Sequence, residues 1–212
     1  MACYLECVLR PSRFIPPALA VERSRPPKGL NWLCEVKWDG YRCQLNKLGD
    51  RVVVYSAMAR SSPVASQEYG PRCAICRPRA IIDAEIVACR DDGAPDFRAL
   101  HCGNYRDDIL CAWCFDLMEL NGVDLTTLPL MARKMKLGTF LKRYDHGSLR
   151  HSEPFADPEK LLRKCSWRGL EGIVFKKKDA PYRSGRGDWI KVKCAQWKEA
   201  NHNRGDLFAP RA

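Results

Sequence analysis

The segment Glu35-Val36-Lys37-Trp38-Asp39-Gly40-Tyr41-Arg42 sets a lysine where a strand runs into an Asp-Gly turn. A lysine so placed can be held within reach of a bound phosphate. To act as a nucleophile its amine must shed a proton, and nearby cations or partial burial would lower its pKa. The plain alternative is an exposed strand lysine before a tight turn. Four later blocks argue against it. Asp83-Ala84-Glu85 puts carboxylates into an apolar strand, a costly place unless they meet a ligand or a cation. Phe115-Asp116-Leu117 offers a ring that can stack on a base. Glu171-Gly172-Ile173-Val174-Phe175-Lys176 pairs another strand carboxylate with a lysine. In Trp189-Ile190-Lys191-Val192-Lys193 the two lysines share a face, because strand residues two apart point the same way. Two convergent ammonium groups suit a phosphate whose charge rises in a transition state.

Short strands with turns between them must aim these groups. Leu33 to Lys37, Tyr41 to Leu45 and Arg51 to Tyr55 read as a meander, broken at Asp39-Gly40 and at Leu48-Gly49-Asp50. Strand patterns return at residues 80–88, 109–117, 172–176 and 189–193. Residues 129–143 have helical character, with Leu130, Lys134, Leu137 and Leu141 on one face; Pro158 to Cys165 is a second helix, with Asp157 placed as its N-cap. The first thirty residues, with Pro16-Pro17 and Pro26-Pro27, read as an irregular lead-in. Residues 57–79, rich in Ser, Ala, Arg, Pro and Cys, carry neither a 2-residue nor a 3.6-residue period. There is no internal repeat. The mixture predicts an α+β fold with mainly antiparallel sheets.

At 212 residues and 46% hydrophobic content, the chain can bury one sizeable core. It has no apolar run of membrane-spanning length and no secretory pattern at Met1-Ala2-Cys3, so a cytoplasmic location without membrane contact is expected. The net charge of +11 is unevenly placed. Residues 133–198 hold 18 Lys and Arg against 7 Asp and Glu, and the rest of the chain balances. A basic half on a neutral body suggests a polyphosphate or nucleic-acid partner. Of the twelve cysteines, Cys73-x-x-Cys76 and Cys111-x-x-Cys114 imitate halves of a zinc site. The second pair lies in an apolar strand, which favours reading the cysteines as small buried hydrophobes.

In this order, the five blocks resemble the motif set of the covalent nucleotidyltransferases: DNA ligases, RNA ligases and mRNA capping enzymes. The chain is most similar to the ligase domain of bacterial end-joining ligases. Phe14-Ile15-Pro16-Pro17-Ala18-Leu19-Ala20 upstream, Tyr182-Arg183-Ser184-Gly185-Arg186 before the last block and Trp197-Lys198-Glu199-Ala200-Asn201 after it add to the likeness. The resemblance covers nearly the whole chain except residues 57–79. It implies a single nucleotidyltransferase domain over residues 1–212, with a tail at 195–212 and no OB-fold domain. It also implies a place in DNA repair, recombination or replication. Lys37 would attack the α-phosphate of ATP and hold AMP through a phosphoramide bond. Glu35 would read the adenine edge and Phe115 would stack on the base. Arg42 and Glu85 would hold the ribose and its neighbours, and Lys191 and Lys193 the α-phosphate. Glu171, with Glu85, would hold or orient Mg²⁺ or Mn²⁺, since hard cations take carboxylate and phosphate oxygens. The partner would be nicked or broken double-stranded DNA, whose 5′-phosphate takes the AMP before the 3′-hydroxyl displaces it. The flanks around Tyr182 speak against an RNA ligase or guanylyltransferase.

Two departures accompany the likeness. Ser56-Ala57-Met58-Ala59-Arg60 stands where such ligases have Ser-Arg-x-Gly. Codons for Ser-Ala-Met-Ala read from the third base of the serine codon permit that motif, so residues 57 to about 79 are expected to be translated from a shifted frame. The roughly twenty residues after Lys193 are too few for a five-stranded OB barrel. An OB-fold or end-joining protein acting in trans would then complete the enzyme. Without it, the chain would be an impaired ligase-like protein that binds ATP or DNA.

Overall fold

The computed structural model describes residues 13–48, 51–56, 63–68, 78–106, 109–144 and 148–208. Inside the expected irregular lead-in, Ala18–Glu22 forms the first strand, β1. Its partner lies far away in the chain, so no hairpin signal marks it, and Pro16-Pro17 and Pro26-Pro27 flank it without interrupting its ladder. The blocks read as strands become β2 (Trp32–Lys37), β3 (Tyr41–Leu48) and β4 (Arg51–Ser56), then β6 (Arg79–Ala88) and β7 (Leu110–Leu120), after β5 (Pro63–Glu68). Near the end come β10 (Gly172–Lys177) and β11 (Gly185–Lys193), preceded by the short β8 (Val123–Asp124) and β9 (Leu149–His151). The helices are α1 (Phe97–Cys102), α2 (Leu130–Tyr144), α3 (Pro158–Trp167) and α4 (Ala195–Ala200), followed by a 3-10 turn over Arg204–Phe208. Asp157 caps α3 as its position foretold, accepting from the Lys160 amide at 2.9 Å, with Pro158 in the first turn.

The smaller sheet runs β1-β11-β10-β2 and the larger β5-β4-β3-β6-β7-β8, with β9 also on β7. Pairing is antiparallel except for β1 against β11 and β9 against β7. β5 lies within the stretch expected to be irregular and pairs with β4, which corrects that expectation for its six residues. Residues 57–62 and 69–77 lie outside the described residues, and with them the Ser-Arg-x-Gly position after Ser56 and the Cys73-x-x-Cys76 pair.

A seam of Ile15, Ala18, Ile81, Phe115, Met118, Tyr182 and Trp189 joins the two sheets. On the outer face of the larger sheet, Leu137, Phe140 and Leu141 of α2 pack on Leu45, Ile82, Ala84 and Cys114. On the outer face of the smaller one, Leu161 and Cys165 of α3 pack on Cys34, Ile173, Phe175 and Val192. Strand alternation leaves Glu35, Lys37, Val174, Lys176 and Lys191 for the inner side. The chain passes between sheets at Trp38-Asp39-Gly40. A Cβ on Gly40 would sit 2.0 Å from the Ile86 carbonyl oxygen, so only glycine lets this turn lie so close to β6. Of the eight described cysteines, all free thiols, Cys43, Cys89, Cys111 and Cys114 are buried on or beside the larger sheet, Cys34, Cys165 and Cys194 are buried around α3, and Cys102 is exposed. Among the described residues, no helix is long and apolar enough to cross a membrane.

Candidate active site

Between the sheets lies a cleft of about 350 Å³, lined by Glu35, Lys37, Arg42, Glu85, Phe115 and Lys191 among others. That size suits a small ligand. Six of the eight residues singled out by sequence thus share one cavity. The other two, Glu171 and Lys193, join it through Lys37. The Glu171 carboxylate bridges two lysines, with Oε2 2.8 Å from Lys37 Nζ and Oε1 3.1 Å from Lys193 Nζ. Register explains the meeting, since Gly172 of β10 stands opposite Lys37 on one side and Lys193 on the other.

The electrostatics of Lys37 differ from the sequence expectation. Burial does pull its pKa down, but the carboxylates of Glu171, Glu85 and Asp39 outweigh burial and hold it above the ordinary lysine value. Lys37 without nucleotide is therefore an ammonium ion, neutralised chiefly by Glu171. Burial and the charges of Lys37 and Lys193 lower the pKa of Lys191. It has no ion-pair partner among the described residues. Glu85 is pushed up to about 7, mainly by burial, with Lys37 and Arg42 opposing.

Glu35 lies at the floor, 1% exposed. Its Oε1 is 3.0 Å from Lys134 Nζ and 3.1 Å from Lys176 Nζ. Burial alone would favour the neutral acid, but those two ammoniums hold the Glu35 carboxyl below its ordinary value. Burial in turn brings Lys176 down to about 8. Lys134 was legible only as one of four residues on an apolar helix face. A cation at such a position has to find a partner, and here it reaches from α2 across to Glu35. Lys176 also lies 4.4 Å from the Phe115 ring centre and 4.2 Å from that of Trp189, a favourable cation–π arrangement.

Arg42 reaches the cleft, but most of its hydrogen-bonding capacity is committed to protein. Its Nε and Nη2 grip Asp83 at 3.0 and 2.7 Å, and Nη1 donates to the Ala18 carbonyl. Tyr182 completes this knot, donating to Asp83 at 2.6 Å and accepting from the Ala18 amide at 3.0 Å. The apolar-strand carboxylate of Asp83 thus finds the cation its burial demands.

Within the C-terminal tail of residues 195–212, the part described, 195–208, packs against Asp39 beside Lys37 and against β1. Arg204 binds Asp39 through both Nη groups and lies 3.6 Å from the Phe97 ring centre. Lys198 meets Glu22 at 2.7 Å, and Lys193 lies 4.9 Å from the centre of the Trp197 ring. No period in the sequence announces the contacts of Arg204 and Lys198, because their partners Asp39, Phe97 and Glu22 lie more than a hundred residues earlier in the chain.

Gly172 is the tightest point of the arrangement. Its φ is +151°, and a Cβ would fall 2.1 Å from the Val192 carbonyl oxygen. Gly172→Ala is expected to force β10 off β11, costing about 1–3 kcal/mol by overpacking alone. Denaturant unfolding measures this directly; a variant as stable as the parent would show that the ladder yields freely.

For a divalent cation, the chain offers two carboxylates, Glu171 and Glu85. Among the described residues, no group of three or more His, Cys, Asp or Glu forms a metal cage. Two carboxylates beside a phosphate-sized space fit Mg²⁺ or Mn²⁺, which are commonly bound through one or two carboxylates together with substrate phosphates.

Over 188 residues the chain is 33% identical to the multifunctional non-homologous end joining protein LigD of Pseudomonas aeruginosa, covering 85% of this chain and 22% of that protein. It is 30% identical to a DNA ligase of Thermococcus fumicolans, over 75% of this chain and 32% of the relative. The chain therefore spans about a fifth to a third of these relatives' length. A mycobacterial DNA ligase D complexed with ATP and MES superposes with a TM-score of 0.68 at 25% identity, over 84% of this chain and 59% of that one. The ligase domain of M. tuberculosis LigD gives 0.64 at 24% identity, over 84% and 60%. The family model for the ATP-dependent DNA ligase domain matches residues 21–193, from β1 to the end of β11, and the chain belongs to that family.

Proposed function

We propose that this domain takes AMP from ATP onto Lys37 and passes it to the 5′-phosphate of nicked or broken double-stranded DNA, preparing the break for sealing. The observation that carries the reading is the Lys37–Glu171–Lys193 cluster at the end of a cleft that also presents Lys191 and Phe115. In it a nucleophile, its proton-holding carboxylate and two further cations meet. ATP entering the cleft would lay its base beside Phe115, within reach of Glu35. Lys134 and Lys176 keep Glu35 ionised, so it accepts a hydrogen bond from the adenine amino group and repels the carbonyl of guanine. Lys191 and Lys193 would draw the α-phosphate toward Lys37 and stabilise its growing charge. Mg²⁺ or Mn²⁺, held by Glu171 and Glu85, would supply further charge neutralisation at the phosphates. Lys37 becomes nucleophilic when its ammonium proton passes to the Glu171 carboxylate 2.8 Å away; the freed electron pair then attacks the α-phosphorus as the α–β phosphoanhydride bond breaks and pyrophosphate leaves.

The activity is tested with ATP, Mg²⁺ and a duplex carrying one nick. AMP-capped DNA is expected to appear before sealed strands, and binding is expected to weaken steeply with salt as phosphate contacts release counterions. DNA carrying neither AMP nor a new bond after exhaustive incubation would overturn the proposal. An OB-fold or end-joining protein added in trans is expected to speed sealing of pre-adenylylated nicks, because it would help align the reacting ends.

A further inference from the structure

The outer face of α3 is unlike the rest of the surface. Leu161 and Cys165 bury its inner side. Beside them, Lys160, Arg163, Lys164, Trp167 and Arg168 are all exposed, with Arg168 next to the buried side and the exposed Glu159 bordering the other edge. At ~100° per residue these five fall within an arc of roughly 140° and span about 12 Å, with Trp167 near its middle. Trp167 is 84% exposed, rare for a residue whose indole has so much apolar area to hide. Lys160, Arg163 and Lys164 have no ion-pair partner among the described residues, while Arg168 donates to the Asp92 carbonyl at 2.7 Å. The end of α3 is tied to α4 by a Ser166–Gln196 hydrogen bond, so the stripe sits on a fixed support. Because α3 packs on the outer side of β10 and β2, this stripe lies behind the nucleotide cleft.

We infer that this stripe binds single-stranded DNA, such as the overhang of a broken end, with Trp167 stacking on an unpaired base and the surrounding cations meeting phosphates. An aromatic platform among uncompensated cations is the pattern that holds single strands without reading sequence. An acidic protein partner would also use both the cations and the indole, and an unchanged single-strand affinity in the variants below would point to it. The inference does not depend on covalent chemistry at Lys37, since binding and AMP uptake are measured separately.

The test is fluorescence anisotropy of the whole chain with a labelled twelve-residue oligothymidine and with a blunt duplex, across a salt series. Trp167→Ala is expected to weaken single-strand binding roughly 5- to 140-fold, the effect of losing one stacked base. Trp167→Phe, which keeps a ring, is expected to retain most of the affinity. Replacing Lys160, Arg163 and Lys164 together by glutamine is expected to reduce the log–log salt slope by about 2. Thermal unfolding like the parent's accompanies each expected result, because all four side chains lie outside the core. Unchanged single-strand affinity in Trp167→Ala, or an equal loss on blunt duplex, would overturn the assignment. So would an unchanged salt slope in the triple variant.

Discussion

Lys37→Ala is expected to leave no label on the denatured protein after incubation with α-labelled ATP and Mg²⁺, while ATP binding itself falls only modestly. The cleft keeps its other contacts, but the atom that would form the phosphorus–nitrogen bond is gone. Lys37→Arg is expected to fail equally. A guanidinium would preserve the ion pair with Glu171, yet it is essentially always protonated and offers no free electron pair. The arginine variant therefore separates the two roles the structure gives this residue, partner of Glu171 and nucleophile. A gel assay reads the label, and equilibrium dialysis reads the binding. Label at the parental level in either variant would remove Lys37 from the chemistry.

The second large effect concerns stability. Arg133 of α2 is 1% exposed and Asp116 is fully buried, joined by two bonds of 2.7 and 2.8 Å. Arg133 also donates to the carbonyls of Leu128 and Ala180, so it links α2, β7 and the end of β10. Arg133→Ala strands the Asp116 charge in the interior, which is expected to cost about 3–5 kcal/mol. For a domain of this size that corresponds to a fall of roughly 6–20 °C in melting temperature. Lysine is expected to recover little, because one ammonium cannot reproduce the two-pronged grip. Combining Arg133→Met with Asp116→Leu is expected to recover part of the loss, since removing both charges leaves no ion uncompensated, while the Leu128 and Ala180 carbonyls still lose a donor. A loss below about 1 kcal/mol in the alanine variant, far under the range for broken buried pairs, would show that Asp116 is rescued by other groups. Asp116 adjoins Phe115, whose ring lines the cleft.

Much of this site was legible because its chemistry is carried by local patterns. Lys37 before Asp39-Gly40, Lys191 and Lys193 on one strand face and Glu171 beside Gly172 all declare themselves within a few residues. Period-2 alternation then places them on the inner side of their sheet. What stayed hidden depends on distant partners. β1 has no hairpin neighbour, and its pairing with β11 appears only in three dimensions. Arg42 looked free to hold a ribose, but Asp83 and Ala18 occupy most of its donors, a demand set by Tyr182 and the first strand. Lys37 was expected to have a pKa depressed by nearby cations or partial burial. The sequence does show Glu85 and Glu171, but not that both would face it closely enough to outweigh burial. Lys134 on an apolar helix face and Lys176 in an apolar strand were the readable hints of the cation pair around Glu35.

The central claim is that Lys37 is the residue that becomes AMP-bound, and locating the adduct on the parent protein tests it most directly. After incubation with ATP and Mg²⁺ the intact mass is expected to rise by one AMP and no more. Proteolysis and fragmentation are expected to place that mass on the peptide containing Lys37, with acid releasing it as a phosphoramide bond would. GTP is expected to give no adduct. AMP found on any other residue, or tight ATP binding with no covalent adduct under these conditions, would contradict the account.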